Sequence, residues 1–233
     1  MIARVALVPY PPLLVGELAP GYDRQLTELR AAVSNAVRWL AEGATHWLAV
    51  AADESGRARH AGQRGSFASY GADVTVTLSS GSNGAGPAAL PLPVLMAGWL
   101  RGQAGAESVA VELLDAATGQ PDCERAGAAL ATGDDTALLV LADGSTRHGE
   151  KSPGGKDDRA PEFDAGIADA LDKVDADALA RIDATLAGKL GAAGRAAWQV
   201  AGGVARARDW RGTLHYTGAP FGVGYHVATW EAR

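Results

Sequence analysis

Polar side chains of chemically useful types follow three of the short apolar segments in this sequence. The candidates for a ligand pocket and for catalysis are Tyr10, the pair Asp53 and Glu54, and the group Asp143, Ser145 and His148. Ligands of open α/β sheets bind beyond the carboxyl ends of the strands. If the apolar segments are neighbouring parallel strands, these groups converge on one pocket for a small molecule.

Each of these residues also has a simpler interpretation. His148 would serve as an acid or base, because imidazole titrates near neutral pH, but it also fits an exposed histidine in a charged loop. Asp53 and Glu54 would act as metal ligands or as a general base, and equally as helix caps or solvated surface groups. The Tyr10 hydroxyl would orient a substrate or cap a turn. The residues alone leave these alternatives open.

Apolar periodicity predicts an alternation of strands and helices along the chain. Short apolar or alternating runs predict strands at 2–8, 46–52, 74–78, 108–114 and 136–141. Helical spacing predicts helices at 22–42, 91–100, 122–131, 161–174, 177–190 and 192–205. This alternation is typical of an α/β fold with three layers, α/β/α, around a central mixed sheet that is mostly parallel. No linker rich in Pro, Gly or Ser divides the chain, so residues 1–233 are predicted to form a single domain.

A C-terminal β-hairpin is predicted at 212–230, with its turn near residues 218–222. His215 and His226 flank this turn symmetrically and would face each other across the strands, as a metal-binding or pH-sensitive pair or as a structural stack. Two apolar side chains of the hairpin, Phe221 and Trp230, would suit a homodimer contact. The segment 79–86 is predicted to be a flexible loop, because glycine and serine dominate it.

The overall composition argues against several classes of protein. The 233 residues carry a net charge of −6 and no basic stripe, which argues against nucleic acid as a partner. The single cysteine, Cys123, excludes an internal disulfide and a cysteine-rich zinc site, and it fits a reducing compartment. No signal peptide precedes the first strand, and no uncharged apolar run reaches about 18 residues, so no membrane span is expected. We therefore expect a soluble, cytoplasmic protein.

Several short motifs occur in a particular order along the chain. They are Pro9-Tyr10-Pro11-Pro12, Asp53-Glu54, Asp143-Gly144-Ser145 with a nearby histidine, Phe163-Asp164, and Trp198 followed by Ala201-Gly202-Gly203. In their order and spacing they resemble the catalytic (B) subunits of class III extradiol ring-cleavage dioxygenases, and most of all a divergent actinobacterial branch of that superfamily. The resemblance extends from the first strand to the last helix, and it implies the same fold and a site at the carboxyl ends of the strands.

Proteins of that family bind ferrous iron through two histidines and a glutamate, and a further histidine acts as acid or base. The positions of this chain that match the three ligands hold Tyr10, the pair Asp53-Glu54, and Gly194 or Arg195. His148 matches the acid/base histidine if one extra residue follows Gly144. A phenol that titrates near 10 and a cation do not suit a ferrous site. The resemblance therefore implies that the usual iron site and ring cleavage are lost, and no cofactor is expected.

Three functions remain as hypotheses. In the first, the chain is a divergent dioxygenase-like protein that binds an unknown small ligand at the predicted pocket. In the second, it is a metal-dependent oxygenase or hydrolase that holds Fe(II) or another divalent cation through a non-standard ligand set, Glu54 and His148. In the third, it is a structural protein that forms a homodimer through its hairpin. Whether the chain is an enzyme is left open.

Overall fold

The structure is a computed structural model that describes residues 1–21, 23–81, 88–131 and 136–233. Its strands are β1 (Arg4–Val8), β2 (His46–Asp53), β3 (Ala58–His60), β4 (Arg64–Ser66), β5 (Thr75–Thr77), β6 (Ser108–Asp115), β7 (Ala137–Leu141), β8 (Trp210–Gly218) and β9 (Tyr225–Ala232). Within these ranges a seven-stranded sheet has the order β3-β6-β2-β7-β1-β9-β8. The four strands β6, β2, β7 and β1 run parallel. At one edge β3 pairs antiparallel with β6, and at the other β9 pairs antiparallel with β1 and β8 pairs antiparallel with β9.

Helices cover both faces of this sheet. They are α1 (Arg24–Gly43), α2 (Leu92–Ala104), α3 (Gln120–Ala131), α4 (Ala160–Lys173), α5 (Ala176–Ala180), α6 (Ala184–Leu190) and α7 (Arg195–Ala205). One apolar core lies between the sheet and α1 with α2, and the other lies between the sheet and α3, α4, α5 and α7. The predicted α/β fold, with its mostly parallel central sheet and C-terminal hairpin, is therefore confirmed.

Side-chain alternation along the central strands explains why both faces are covered. In β1, Ala6 and Val8 belong to one core, whereas Val5 and Leu7 belong to the other. All five residues of β7 are buried. Successive residues of a strand point to opposite faces, so an uninterrupted apolar strand needs a helical layer on each side.

The strand predicted at 74–78 is present as β5, but it pairs with β4 in a separate two-stranded sheet and does not join the central sheet. Only one of its three residues is buried, so it lacks the two apolar faces that a central parallel strand needs. The helix predicted at 177–190 is broken into α5 and α6, because the Asp183 side chain accepts a hydrogen bond from the Leu186 N–H at 2.7 Å and starts a new helix.

The hairpin forms where it was predicted, but its register is different. A shift between Leu214 and Tyr216 places His226 opposite Thr217, so His215 and His226 do not face each other. His215 bonds to Thr229, whereas His226 points to the other face of the sheet, towards α4 and α7. The observed pairing therefore leaves the two histidines on opposite faces of the sheet. Most of the predicted loop at 79–86 lies outside the described residues.

None of the helices in the described ranges combines the length and the apolar character needed to cross a membrane.

Candidate functional site

The carboxyl ends of β1, β7 and β2 lie side by side, because these strands are parallel neighbours in the sheet. A direct contact joins two of the predicted residues there: the Tyr10 N–H donates to Asp143 Oδ1 at 2.9 Å. Pro9, Pro11 and Pro12 end β1 and leave Tyr10 in an extended turn over the end of β7. The predicted convergence of Tyr10 and Asp143 is thus present in the structure.

A cleft of about 340 Å³ opens beyond these strand ends. Its polar lining comes from Tyr10 after β1, from Asp53 and Glu54 at the end of β2, and from Arg195 on α7. Alanine and glycine residues of α6 and of the link between α6 and α7 complete the wall. Cofactor and ligand sites usually have volumes of roughly 300 to 1,000 Å³, so this cleft suits a small molecule.

Two glycines before α7, Gly191 and Gly194, allow the chain to approach the strand ends and so place Arg195 at the cleft. Gly191 ends α6 with a positive φ of 66°, a conformation that favours glycine. Gly194 lies directly against β7: a Cβ atom there would lie 2.7 Å from the Ala142 Cβ and 2.8 Å from the Asp143 carbonyl oxygen. Its N–H donates to the Asp143 carbonyl at 2.8 Å. The chain can therefore approach the strand ends closely enough for the first residue of α7 to line the cleft.

Arg195 is a buried cation whose side chain is only 7% exposed. Its Nη1 donates to the Thr118 carbonyl at 2.6 Å and to Gln199 Oε1 at 2.9 Å. Its Nη2 donates to the Ala116 carbonyl. These neutral acceptors hold the guanidinium in place without neutralising its charge. The cleft therefore contains one fixed positive charge beside the two carboxylates of Asp53 and Glu54.

The two residues that meet at the end of β1 have raised pKa values. Loss of hydration raises the pKa of Asp143 to about 7, and the N–H of Tyr10 partly opposes this rise by bonding the carboxylate. Burial, with the nearby charges of Asp143 and Asp53, raises the pKa of Tyr10 above its ordinary value of 10.0. At neutral pH the Tyr10 phenol is therefore neutral, and Asp143 is divided between its protonated and ionised forms.

The predicted catalytic residue His148 lies in a different group, which we name the Asp164 cluster: His148, Asp164, His226 and Ser145. His148 Nε2 lies 2.5 Å from Asp164 Oδ2, and His226 Nε2 lies 3.3 Å from Asp164 Oδ1. The backbone N–H of Ser145 donates to the same carboxylate at 3.1 Å. Asp164 and His226 side chains are 5% and 2% exposed, and that of His148 is 15% exposed. One carboxylate therefore joins two imidazoles away from solvent.

The backbone around Asp164 leaves no spare room. A Cβ atom on Gly144 would lie 2.3 Å from Asp164 Oδ1, and one on Gly224 would lie 2.2 Å from Asp164 Oδ2. The same two glycines are bonded to each other, since the Gly144 N–H donates to the Gly224 carbonyl at 2.8 Å. The cluster thus ties together the loop after β7, the start of α4 and the end of the hairpin turn.

The predicted pocket is therefore divided between two places. Tyr10, Asp53 and Glu54 line the cleft, and Asp143 contacts Tyr10 beneath it. In the part of the chain that the structure describes, the cleft lining does not include Ser145 or His148. The Ser145 hydroxyl is buried and donates to the Leu190 carbonyl at 3.0 Å, which ties the loop after β7 to the end of α6. His148 is neither an exposed loop residue nor a part of this cleft.

Arg195 and Asp164 were not predicted as site residues, and His226 was considered only as a cross-strand partner of His215. Asp164 had a signal in the sequence, because it shares the apolar face of α4 with Ile167, Ala168 and Leu171 at helical spacing. A carboxylate on a buried face needs partners. The contact of His226 with Asp164 had no comparable signal, since it joins β9 to a helix 62 residues earlier in the chain.

The resemblance to extradiol dioxygenases implies ferrous iron, and the matching positions do not fit that ion. The position that matches the glutamate ligand holds Gly194, which has no side chain, or Arg195, which is a cation. Tyr10 presents a phenol with a raised pKa at the place of a histidine. Ferrous sites of this kind use neutral imidazoles and a carboxylate. Among the residues that the structure describes, no three His, Cys, Asp or Glu side chains are grouped so as to hold a metal ion.

The hairpin offers less apolar surface than its sequence suggested. Trp230 is fully buried, and its indole N–H donates to the Leu171 carbonyl at 2.7 Å, so it belongs to the core. Phe221, at the turn, is 52% exposed and has a positive φ of 59°. A homodimer contact through the hairpin would therefore use Phe221 without Trp230.

Comparisons with known proteins support the fold alone. No protein-family model matches this chain, and no curated protein sequence matches it either. A solved structure that resembles it is the uncharacterized protein JW3007 from Escherichia coli K12, with a TM-score of 0.54 over 99% of this chain and 100% of that one. The two sequences are 12% identical, so the similarity extends to the arrangement of the elements and to nothing more specific.

Proposed function

We propose that this chain is a divergent relative of the class III extradiol dioxygenases that binds a small polar molecule in the cleft and lacks the ferrous site and ring-cleavage activity of that family. The cleft lies where ligands of α/β sheets usually bind, beyond the carboxyl ends of parallel strands. Tyr10, Asp53, Glu54 and Arg195 supply its polar contacts.

One observation carries this proposal: Arg195, one of the two residues that would match a metal-ligating glutamate, is a buried cation in the lining of the cleft. Three hydrogen bonds to neutral oxygens hold it there, so it cannot easily swing away to admit a cation. A metal ion in the same cleft would meet a fixed positive charge at close range. The arrangement therefore favours a ligand with polar or negative groups over a metal centre.

Metal analysis of the purified protein tests this function. We expect well under one iron per chain, both as purified and after anaerobic incubation with excess Fe(II) followed by desalting. We also expect no oxygen uptake with catechol or protocatechuate after that treatment. Stoichiometric iron that is lost in a Glu54→Ala variant would contradict the proposal, because it would place a metal centre in the cleft.

The metal-dependent alternative needs Glu54 and His148 to share one ion. For this, His148 would have to release Asp164, to which its Nε2 lies at 2.5 Å, and the loop after β7 would have to move towards the cleft. The alternative predicts that His148→Ala removes bound metal, with His46→Ala as a matched control at the opposite end of β2. Metal content that is equal in both variants would rule it out.

A further inference from the structure

We infer that the ligand of the cleft carries a carboxylate, which Arg195 binds through two parallel N–H groups, together with a hydrogen-bond donor that meets Asp53 and Glu54. This inference rests on the proposed function, because it takes the cleft to be a ligand site. It names the chemical class of the ligand: a small carboxylic acid with a hydroxyl or ammonium group.

Two N–H groups of Arg195 have no acceptor among the described residues. A guanidinium has five N–H groups. Nη1 uses two of them, on Thr118 and Gln199, and Nη2 uses one, on Ala116. One N–H on Nη2 and the N–H on Nε remain, and neither bonds to another residue in the described part of the chain.

Arg195 is one of the residues that line the cleft, which places these remaining donors beside the space for a ligand. Within the described ranges, the fully enclosed side-chain nitrogens without a partner belong to Arg30, Arg101 and Trp210, and the Arg195 Nε is not among them. Two parallel N–H groups of one guanidinium match the two oxygens of a carboxylate. Such bidentate, charge-assisted hydrogen bonds are among the strongest that arginine makes.

The opposite wall of the cleft selects against a highly charged anion. Asp53 and Glu54 bring two negative charges against the single positive charge of Arg195. Asp53 Oδ1 already accepts a hydrogen bond from the Ser55 N–H at 2.8 Å, so its other oxygen and the Glu54 carboxylate are the acceptors left for a ligand. A phosphate dianion would meet more repulsion than a monovalent carboxylate, and a donor group on the ligand would satisfy these acceptors.

The test uses the whole chain and three probes: benzoate, its uncharged amide benzamide, and inorganic phosphate. Backbone amide shifts in NMR spectra report binding at residues of the cleft, such as Glu54 and Ala193. We expect benzoate to shift these amides with an affinity at least about tenfold higher than that of benzamide or phosphate. Arg195→Lys keeps the charge but removes the paired donors, and it should weaken benzoate binding by about tenfold. Arg24→Gln, an exposed change on the other face of the sheet, should leave it unchanged.

Benzamide that binds as tightly as benzoate, phosphate that binds more tightly, or the absence of benzoate shifts in the cleft would each overturn the inference. Unchanged benzoate affinity in a folded Arg195→Lys variant would also overturn it. If that variant does not fold, the comparison of the three probes on the unsubstituted protein decides the question. Failure here is distinct from failure of the proposed function, which stoichiometric iron in the cleft would show.

Discussion

The cleft and the Asp164 cluster are built from the same end of the sheet, yet they treat their charges in opposite ways. In the cleft, two N–H donors of Arg195 have no acceptor among the described residues, and Glu54 is exposed to solvent. In the Asp164 cluster, one carboxylate satisfies two imidazoles and a backbone N–H, and the surrounding glycines leave no room for another atom. The polar groups of the cleft can therefore bind a ligand, whereas those of the Asp164 cluster bond to one another.

This difference assigns different roles to the two regions. Hydrogen-bonding groups that the fold does not use are available to a ligand, whereas a satisfied buried network stabilises one conformation of the chain. Histidine is the residue type most often associated with catalysis, but here the histidines near the site contact a buried carboxylate. Substitutions in the Asp164 cluster should therefore change folding, and substitutions in the cleft should change binding.

The largest effect is expected for Asp164→Ala. This change leaves His148, His226 and the Ser145 N–H without their common acceptor in a buried place. Breaking such a buried pair should lower the free energy of unfolding by about 3–5 kcal/mol, measured by urea denaturation. Asp169→Ala, on the exposed side of the same helix, is the control and should change stability little. Equal effects of the two substitutions would refute the structural role of the Asp164 cluster.

Asp143 makes stability depend on pH. Its pKa is about 7 in the folded protein and 3.8 when unperturbed, so the fold favours the protonated carboxyl. The stabilisation is full below pH 4 and is lost as the pH rises to about 7 and above, by at most roughly 4 kcal/mol at 1.36 kcal/mol per pH unit. Asp143→Asn cannot ionise, and should gain stability relative to the unsubstituted protein over this range.

Urea denaturation of both proteins at several values between pH 4 and 8 measures this effect. The difference between the two free energies isolates Asp143 from the other titrating groups. A difference that stays constant across the range would show that the carboxyl of Asp143 ionises as easily in the fold as in the unfolded chain.

A smaller loss is expected for Gly224→Ala. The added methyl group would lie 2.2 Å from Asp164 Oδ2, and the bonded backbone around it cannot move freely. Overpacking of this kind should cost about 1–3 kcal/mol in the free energy of unfolding. Gly166→Ala, in open space on α4, is the matched control and should stabilise the helix by up to about 1 kcal/mol. The free energy of unfolding should therefore fall in Gly224→Ala and rise in Gly166→Ala. A higher free energy of unfolding in Gly224→Ala would contradict the tight packing around Asp164.

The smallest effect belongs to the cleft. Glu54→Gln removes an exposed negative charge from the wall opposite Arg195, so benzoate binding should tighten by a few fold and the thermal midpoint should hardly change. Glu17→Gln, exposed on a different segment, should affect neither quantity. Weaker benzoate binding in Glu54→Gln would show that the Glu54 carboxylate does not oppose the bound anion.

Much of the fold could be predicted from the sequence, because the buried faces of strands and helices require apolar residues at regular spacing. The five buried residues of β7 and the amphipathic spacing of α1 both identify their elements directly. The errors occurred where local chemistry competed with periodicity: Asp183 interrupts a long helical pattern by capping a new helix, and β5 alternates like a strand but pairs outside the main sheet. Short strands with one apolar face do not reveal which sheet they join.

The site could be predicted only in part, for a related reason. Tyr10, Asp53 and Glu54 lie at the carboxyl ends of β1 and β2, two parallel strands that both pair with β7, so their presence at one edge follows from the fold class. The partner of His148 lies on α4, and His226 reaches the same carboxylate from β9, on the face of the strand that it shares with Ala228 and Trp230. No periodicity in the chain specifies these contacts.

The sequence by itself therefore determined the layers of the molecule and the edge of the sheet where polar groups gather, since strand alternation and strand ends are local properties. The tertiary structure decided which of those polar groups bond to other parts of the chain and which are available to a ligand. Asp164 meets its histidines, and Arg195 meets the carbonyls of Ala116 and Thr118, across distances of 16 to 79 residues along the chain. Hydrogen bonds between such distant segments depend on packing and register, and these are properties of the whole fold.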